Sequence, residues 1–356
     1  MDFSLTEDQE ELRSLTARVL ADRCTPEHLK DVAFGDGATG VDLELWRELA
    51  ELGIVGVALP EQAGGGGQGF IEVAVVLEEI GRAVAPVPAL PVMAMAGPFL
   101  AEHAPDQLAG LASGERIVTV ALHDMTGDVT SPALTASDGK LSGTKTNVPF
   151  GMVADAFLVS AVDGIYLVEK DAPGVTIVRE DAVDDIPDAI VTFDGAPGTL
   201  IAGPDALASL IDAGHTGQAL IMSGVTERAV AITAEYVKER VQFDRAIATF
   251  QAVAQRAADA SIDARAINLT AWQAAMLIND GLPATEAAEI AKFWAAEGGQ
   301  RVVHAATHLH GGVGVDRDYP LHRYYLWAKK QELFLGGMSP SLLRLGKFLA
   351  DEPVAS

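Results

Sequence analysis

Apolar positions recur at three- and four-residue spacing along most of this chain and give way to short β-branched runs only in its middle third. Leu12, Leu15, Val19 and Leu20 fall on one helical face behind Thr6, a good N-cap with acid in the turn that follows. Leu45, Trp46, Leu49 and Leu52 form a second such face, closed by Gly53. The run from Pro60 through Gly67 is too rich in glycine to be helix. Val73, Val76, Leu77 and Ile80 predict a third helix, and Pro86, Pro88 and Pro91 punctuate the chain before a short helical piece ending near Leu111. From Arg116 the period changes. Ile117–Leu122, Ala156–Val162, Ile165–Val168, Val175–Val178 and Ile190–Phe193 read as strands, with turns at Asp138-Gly139, Asp163-Gly164 and Pro173-Gly174. After Pro204 helical spacing returns and holds to the end, broken at Gly281-Leu282-Pro283 and Gly311-Gly312. Helices, then strands, then helices predict a mainly α chain with a central β domain, not a doubly wound sheet. The expected division is an N-terminal helical domain over 1–113, a small β-barrel or sandwich over 114–203 and a C-terminal bundle over 204–356.

Composition narrows the function. With 356 residues, 49% of them hydrophobic, the chain can bury a large core. No apolar run approaches the roughly 20 residues of a membrane span. The start, from Met1 to Glu7, carries acid where a targeting peptide carries base, and the single Cys24 offers neither a disulfide framework nor a cysteine metal pattern. A reduced, cytoplasmic protein is expected. A net charge of −25 argues against nucleic-acid binding, which needs clustered Lys and Arg to neutralise phosphates.

Four local patterns, in order, resemble the acyl-CoA dehydrogenase family. They are Leu5-Thr6-Glu7-Asp8-Gln9 with Leu12-Arg13; Leu52-Gly53-Ile54 through Leu59-Pro60-Glu61, the glycines and Glu78-Glu79-Ile80-Gly81-Arg82; Arg240 through Gln251; and His308-Leu309-His310-Gly311-Gly312-Val313-Gly314. The resemblance spans nearly the whole chain. It implies an α-helical domain, a β domain and a four-helix domain assembled as a tetramer around FAD, with the third and fourth patterns embracing the adenine and pyrophosphate half of a neighbouring subunit's FAD. Chemistry suits that implication. A guanidinium fork matches a pyrophosphate, which nominates Arg240; Phe243 offers apolar surface; the Gln251 amide both donates and accepts; Gly311 and Gly312 permit close backbone approach. Gln242, Ile247, Phe250, His308 and Leu309 complete the candidate set by position in the two patterns. Taken singly, Arg240 reads better as a cation answering a helix C-terminus, Phe243 and Phe250 as core, and Gly311-Gly312 as a helix stop; taken together in matching order, the cofactor reading is the better one.

The same resemblance fails at the chemistry. The family's reaction removes two hydrogens across the α,β carbons of a CoA thioester: a carboxylate takes the α proton, and the β hydride passes to flavin N5. That base must lie within about 3 Å of its proton. In the segment Phe334-Leu335-Gly336-Gly337-Met338, Gly336 falls where most members carry the Glu, and ungapped counting back from Arg240 brings the alternative position to Gly214. The Thr-Glu-Pro and Gly-Ser-Asp elements that meet flavin and substrate are replaced by Leu122-His123-Asp124-Met125-Thr126-Gly127-Asp128. A chain that keeps the half-site offered to a neighbour and loses its own resembles the base-lacking subunit of actinobacterial heteromeric α2β2 acyl-CoA dehydrogenases, several of which act on steroid side-chain CoA thioesters. The expected partners are therefore a homologous subunit carrying the Glu, an acyl-CoA substrate and an electron-transfer flavoprotein. Two other readings stand beside it: a homotetrameric enzyme using His215 or Asp212 as an unorthodox base, and a structural or regulatory homologue without chemistry. His215 otherwise reads as a polar residue beside a subunit contact, His304, His308 and His310 as poor metal ligands, Asp316-Arg317-Asp318 as a charged loop, and Trp272, Trp294 and Trp327 as core or interface aromatics.

Overall fold

The computed structural model describes residues 3–351, so Met1 and Asp2 of the acidic opening lie outside the described residues. The expected order of helices, strands and helices is present. Described residues divide into two compact units, one of residues 5–76 and 85–214, the other of residues 3–4, 77–84 and 215–351.

The first unit opens with α1 (Glu7–Arg23), where Thr6 and Gln9 form a capping box: the Thr6 hydroxyl accepts from the Gln9 amide, and the Gln9 side chain accepts from Thr6 N–H. Sequence spacing missed α2 (Pro26–Phe34), although Thr25 caps it and Pro26 sits in its first turn. In α3 (Leu43–Glu51), Leu45, Trp46 and Leu49 are buried as the pattern predicts. Next come the opening turns of α4 (Phe70–Ala83), whose end from Leu77 belongs to the second unit, a π turn over Leu90–Ala96 and α5 (Gly97–His103).

Nine strands follow. One sheet orders β1 (Val118–Ala121), β5 (Ala156–Ala161), β6 (Gly164–Glu169) and β9 (Thr199–Ala202), with only β1 and β5 parallel. The other orders β2 (His123–Asp124), β4 (Lys140–Pro149), β8 (Asp188–Pro197) and β7 (Val175–Glu180), with β3 (Thr135–Ser137) also on β4. Phe157 of β5 meets Phe193 of β8 edge-on at 6.5 Å, so the two sheets pack through their apolar faces. The long strand β4 escaped the sequence reading because Lys-Leu-Ser-Gly-Thr-Lys-Thr-Asn is too polar to alternate. Its Lys145 is wholly buried, paired with Asp124 at 2.9 Å and donating to Ser160 Oγ at 3.1 Å. Burial pushes that amine below the usual lysine range, while Asp124 opposes the shift.

The second unit is helical. It holds most of α6 (Leu207–Glu239), then α7 (Gln251–Asn279), α8 (Thr285–Phe293), a π turn over Trp294–Gly298, α9 (Gly299–His310), α10 (Leu321–Leu333) and α11 (Met338–Asp351). The end of α4 crosses α6 through a reciprocal glycine contact. A Cβ on Gly81 would lie 2.0 Å from Ile221 O, and one on Gly224 2.0 Å from Glu78 O. Beside that crossing the buried Glu78 Oε1 accepts from Ser223 Oγ at 2.7 Å, Asn268 Nδ2 at 2.8 Å and Trp272 Nε1 at 3.4 Å. The Glu78–Arg82 motif therefore serves helix packing, because a buried carboxylate needs several donors at once.

Candidate functional site

The sequence candidates gather at one end of the helical bundle. After Arg240 the chain leaves α6 and turns through a two-stranded hairpin, Val241–Gln242 against Arg245–Ala246, which the helical reading of this region did not foresee. Phe243 and Asp244 form its tip at φ 53° and 64°, the positive pair of a type I′ turn. Glycine and asparagine usually fill such positions, so the turn carried no recognisable signal, and an aromatic there is held in sparsely populated backbone. The strain presents Phe243 to solvent at 85% exposure. Ile247 N–H donates to Arg240 O at 2.8 Å, tying the base of the hairpin. Arg245 lies over the Phe250 ring at 4.1 Å, and Phe243 meets the same ring edge-on at 6.1 Å. This aromatic cluster, with Arg245 as an unforeseen member, leads directly into Gln251 at the start of α7.

The fourth pattern meets the third through Tyr236, one helical turn before Arg240. Its ring stacks on His310 at 4.2 Å, at the C-terminal end of α9. Gly311 follows with φ 64° and ψ −140°, a backbone conformation for which glycine is suited. A Cβ on Gly311 or Gly312 would meet nothing within 4 Å. Packing within the chain therefore gives no reason for glycine at 312, whereas a ligand lying close against the backbone does. Among the described residues the side chains of Arg240, Gln251 and His308 make no hydrogen bond or ion pair, and all three are exposed. Gln242 donates to Val241 O at 2.8 Å, while Ile247 and Phe250 are half-buried. Leu309 points into the bundle at 9% exposure, so only its backbone faces this end. Exposed guanidinium donors, an amide, an aromatic tip and an open glycine turn suit an extended anionic ligand with a flat ring; FAD's adenine and pyrophosphate have that character.

Chemistry of another kind occupies the opposite landmark. Gly336, at φ 102°, lies in the loop between α10 and α11, and a Cβ there would lie 3.3 Å from Pro340 and 3.6 Å from Arg344 Nη2. Arg344 holds the buried Glu289 through Nε at 2.6 Å and Nη2 at 3.3 Å. His215 is wholly buried, its Nε2 3.2 Å from Leu335 O and its Nδ1 facing Glu289 Oε1 at 3.5 Å. Burial pushes the Glu289 carboxyl up, but His215 and Arg344 outweigh it and hold it below the usual range. Lys292, also wholly buried, donates to Gln331 O at 2.6 Å, and burial with Arg344 nearby pushes its amine down to about 7. Sequence reading singled out His215 alone, which within this chain is wholly buried. Glu289, Lys292 and Arg344 sit at ordinary helical spacings that gave no signal.

In the β unit, Asp124 and Leu122 O, both within the segment that departs from the family pattern, clamp Lys145 between the sheets. No helix among the described residues is long and apolar enough to cross a membrane.

Comparison with known proteins agrees with this architecture. Residues 6–110 match the family described as acyl-CoA dehydrogenase, N-terminal domain, and residues 203–344 the acyl-CoA dehydrogenase, C-terminal domain. The chain is 38% identical to acyl-CoA dehydrogenase FadE27 of Mycobacterium tuberculosis, over 99% of this chain and all of that protein. Among solved structures, a variant of the Tcur3481-Tcur3483 steroid ACAD superposes with a TM-score of 0.92 at 42% identity, covering 97% of this chain and 98% of that one. The ChsE4-ChsE5 complex from Mycobacterium tuberculosis gives the same TM-score at 38% identity, covering 99% of this chain and 100% of that one. Matched from end to end at such identity, this chain belongs to the acyl-CoA dehydrogenase family of FAD-binding oxidoreductases.

Proposed function

We propose that this chain is the base-lacking subunit of a heteromeric acyl-CoA dehydrogenase, supplying the adenine and pyrophosphate half of an FAD site to a homologous partner that carries the Glu. The observation that carries the reading is an asymmetry. One end of the bundle offers unengaged Arg240, Gln251 and His308 beside an open Gly311-Gly312 turn. At Gly336 no side chain can take a proton, and Arg344 stands over the position instead. Two solved relatives, the Tcur3481-Tcur3483 steroid ACAD and the ChsE4-ChsE5 complex, pair two chains of different name, which supports an unlike partner and a steroid CoA thioester as substrate.

FAD supplies the two-electron acceptor for α,β-desaturation. Arg240 would hold the pyrophosphate, Gly311 and Gly312 would admit the cofactor against the backbone, Phe243 and Phe250 would cover its apolar surface and exclude water, and Gln251 would pair with a polar edge. Proton removal belongs to the partner, and an electron-transfer flavoprotein is the expected acceptor from the complex. The homomeric reading with His215 as base gains nothing from the site: the imidazole is wholly buried and already engaged with Leu335 O.

The test is Arg240→Ala in the complex co-purified with an adjacent-gene acyl-CoA dehydrogenase homologue. The reading expects an intact complex whose FAD affinity falls at least about tenfold, the scale of one charge-assisted contact. An unchanged FAD affinity contradicts it.

A further inference from the structure

Two tyrosine rings converge on His310, the residue that precedes the open glycine turn. His310 Nδ1 lies 2.8 Å from Ala306 O, an acceptor only, so Nδ1 carries the hydrogen. Its Nε2 is then an acceptor, and the Tyr319 hydroxyl, 3.2 Å away, donates to it. Tyr236 stacks on the same ring with 23° between planes and donates through its hydroxyl to His310 O at 3.4 Å. Tyr236 and Tyr319 also meet each other edge-on at 6.4 Å. Burial pushes the His310 imidazole below its usual range, in keeping with the neutral tautomer those contacts require.

The placement matters because the turn, a 3-10 helix over Gly311–Val315 whose Gly311 N–H donates to His308 O, has backbone bonds but no side-chain packing at its first two positions. Gly311 and Gly312 have no side chains to pack, and glycine is the most conformationally free residue. Past the turn, Tyr319 N–H donates to Asp316 O at 3.1 Å, so one tyrosine anchors both the loop and the histidine before it. Tyr236 lies on α6 one turn before Arg240, so the same cluster joins the glycine turn to the helix that delivers the guanidinium.

We infer that Tyr236, His310 and Tyr319 are positioning residues for the adenine and pyrophosphate half of the cofactor, fixing the Gly311-Gly312 turn relative to Arg240. The inference rests on the cofactor reading above. The cluster acts by removing, before binding, conformational freedom the turn would otherwise lose on binding.

A comparison of two flavins separates this role from general support of the fold. FMN lacks the adenine half that the turn would meet. Tyr319→Phe and Tyr236→Phe each remove one hydroxyl and keep the ring, so folding is preserved; His310→Ala removes the cluster. With the apo complex of this chain and its partner, FAD and FMN affinities are measured by fluorescence titration, with Arg240→Ala alongside. We expect each Tyr→Phe substitution to weaken FAD about fivefold, the scale of one hydrogen bond, and His310→Ala by more, with FMN affinity unchanged. Equal losses for FAD and FMN would mean the cluster only supports the fold, and the inference fails. Unchanged FAD binding in the Tyr→Phe variants, with Arg240→Ala still impaired, overturns the inference and leaves the cofactor reading intact. No loss in any variant, Arg240→Ala included, overturns both.

Discussion

Arg344 stands over Gly336: its Nη2 lies 3.6 Å from where a Cβ at that position would be, with the guanidinium locked onto Glu289 at 2.6 Å. Two separate features therefore oppose a side chain at position 336. The backbone there has φ 102°, which L-residues rarely adopt, and a Cβ would press on Pro340 at 3.3 Å with the Arg344 guanidinium beside it.

Restoring a carboxylate by Gly336→Glu should not restore dehydrogenase activity to the lone chain, and it should lower stability by about 1–3 kcal/mol, the scale of positive-φ strain. Urea denaturation and a dye-coupled assay check the two halves. Turnover by the single chain would show that the loop yields easily and that only the carboxylate was missing.

Lys292 should make stability rise with pH. Its buried amine titrates near 7 against 10.5 for an ordinary lysine. Below about pH 7 both folded and unfolded states are protonated, and the fold bears the full cost of the buried charge. Above it the folded state sheds a proton that the unfolded state keeps, so stability climbs until the unfolded amine titrates too. The expected slope is on the order of 1 kcal/mol per pH unit. Denaturation should be followed between about pH 7 and 8.5, because Cys24, pushed up to about 12 by burial and Asp42, acts in the opposite sense at higher pH. Lys292→Met should flatten that rise; an unaltered slope would assign it to other groups.

Breaking the buried pair in the β unit should be severe. Asp124→Ala leaves Lys145 wholly buried with only Ser160 Oγ and Leu122 O for its amine. A loss of about 3–5 kcal/mol is expected, the scale of an uncompensated buried charge, and Asp124→Ala with Lys145→Met should recover much of it. Denaturation of the single and double variants decides; a mild single variant would mean that water reaches the amine.

How much of this was legible beforehand follows from the physics of each residue. Helices α1, α3 and α4 declared themselves through apolar spacing, joined in α1 by the Thr6 cap. Strand β4 did not, since its buried Lys145 is satisfied by Asp124 from a distant part of the chain, which local pattern cannot express. The hairpin after Arg240 was hidden because Phe243 and Asp244 occupy positions that glycine or asparagine would have announced. The glycines and Arg240 were readable as local sequence patterns. The residues that hold them, Tyr236, His310 and Tyr319, come from three separate segments and become a cluster only when folded.

Substrate choice gives one more outcome. The reconstituted complex should turn over a steroid side-chain CoA thioester in preference to a straight-chain acyl-CoA, compared as kcat/KM. Preference for the straight chain would remove the steroid assignment and leave the shared-site reading untouched.

The central claim is that the cofactor site is completed only between unlike subunits. The most direct measurement is flavin absorbance with native mass, taken on this chain alone and on the complex co-purified with an adjacent-gene homologue. The account predicts a colourless lone chain, still colourless after added FAD, and a yellow heterotetramer with one FAD for each pair of unlike subunits. A yellow homotetramer formed by this chain alone would contradict it.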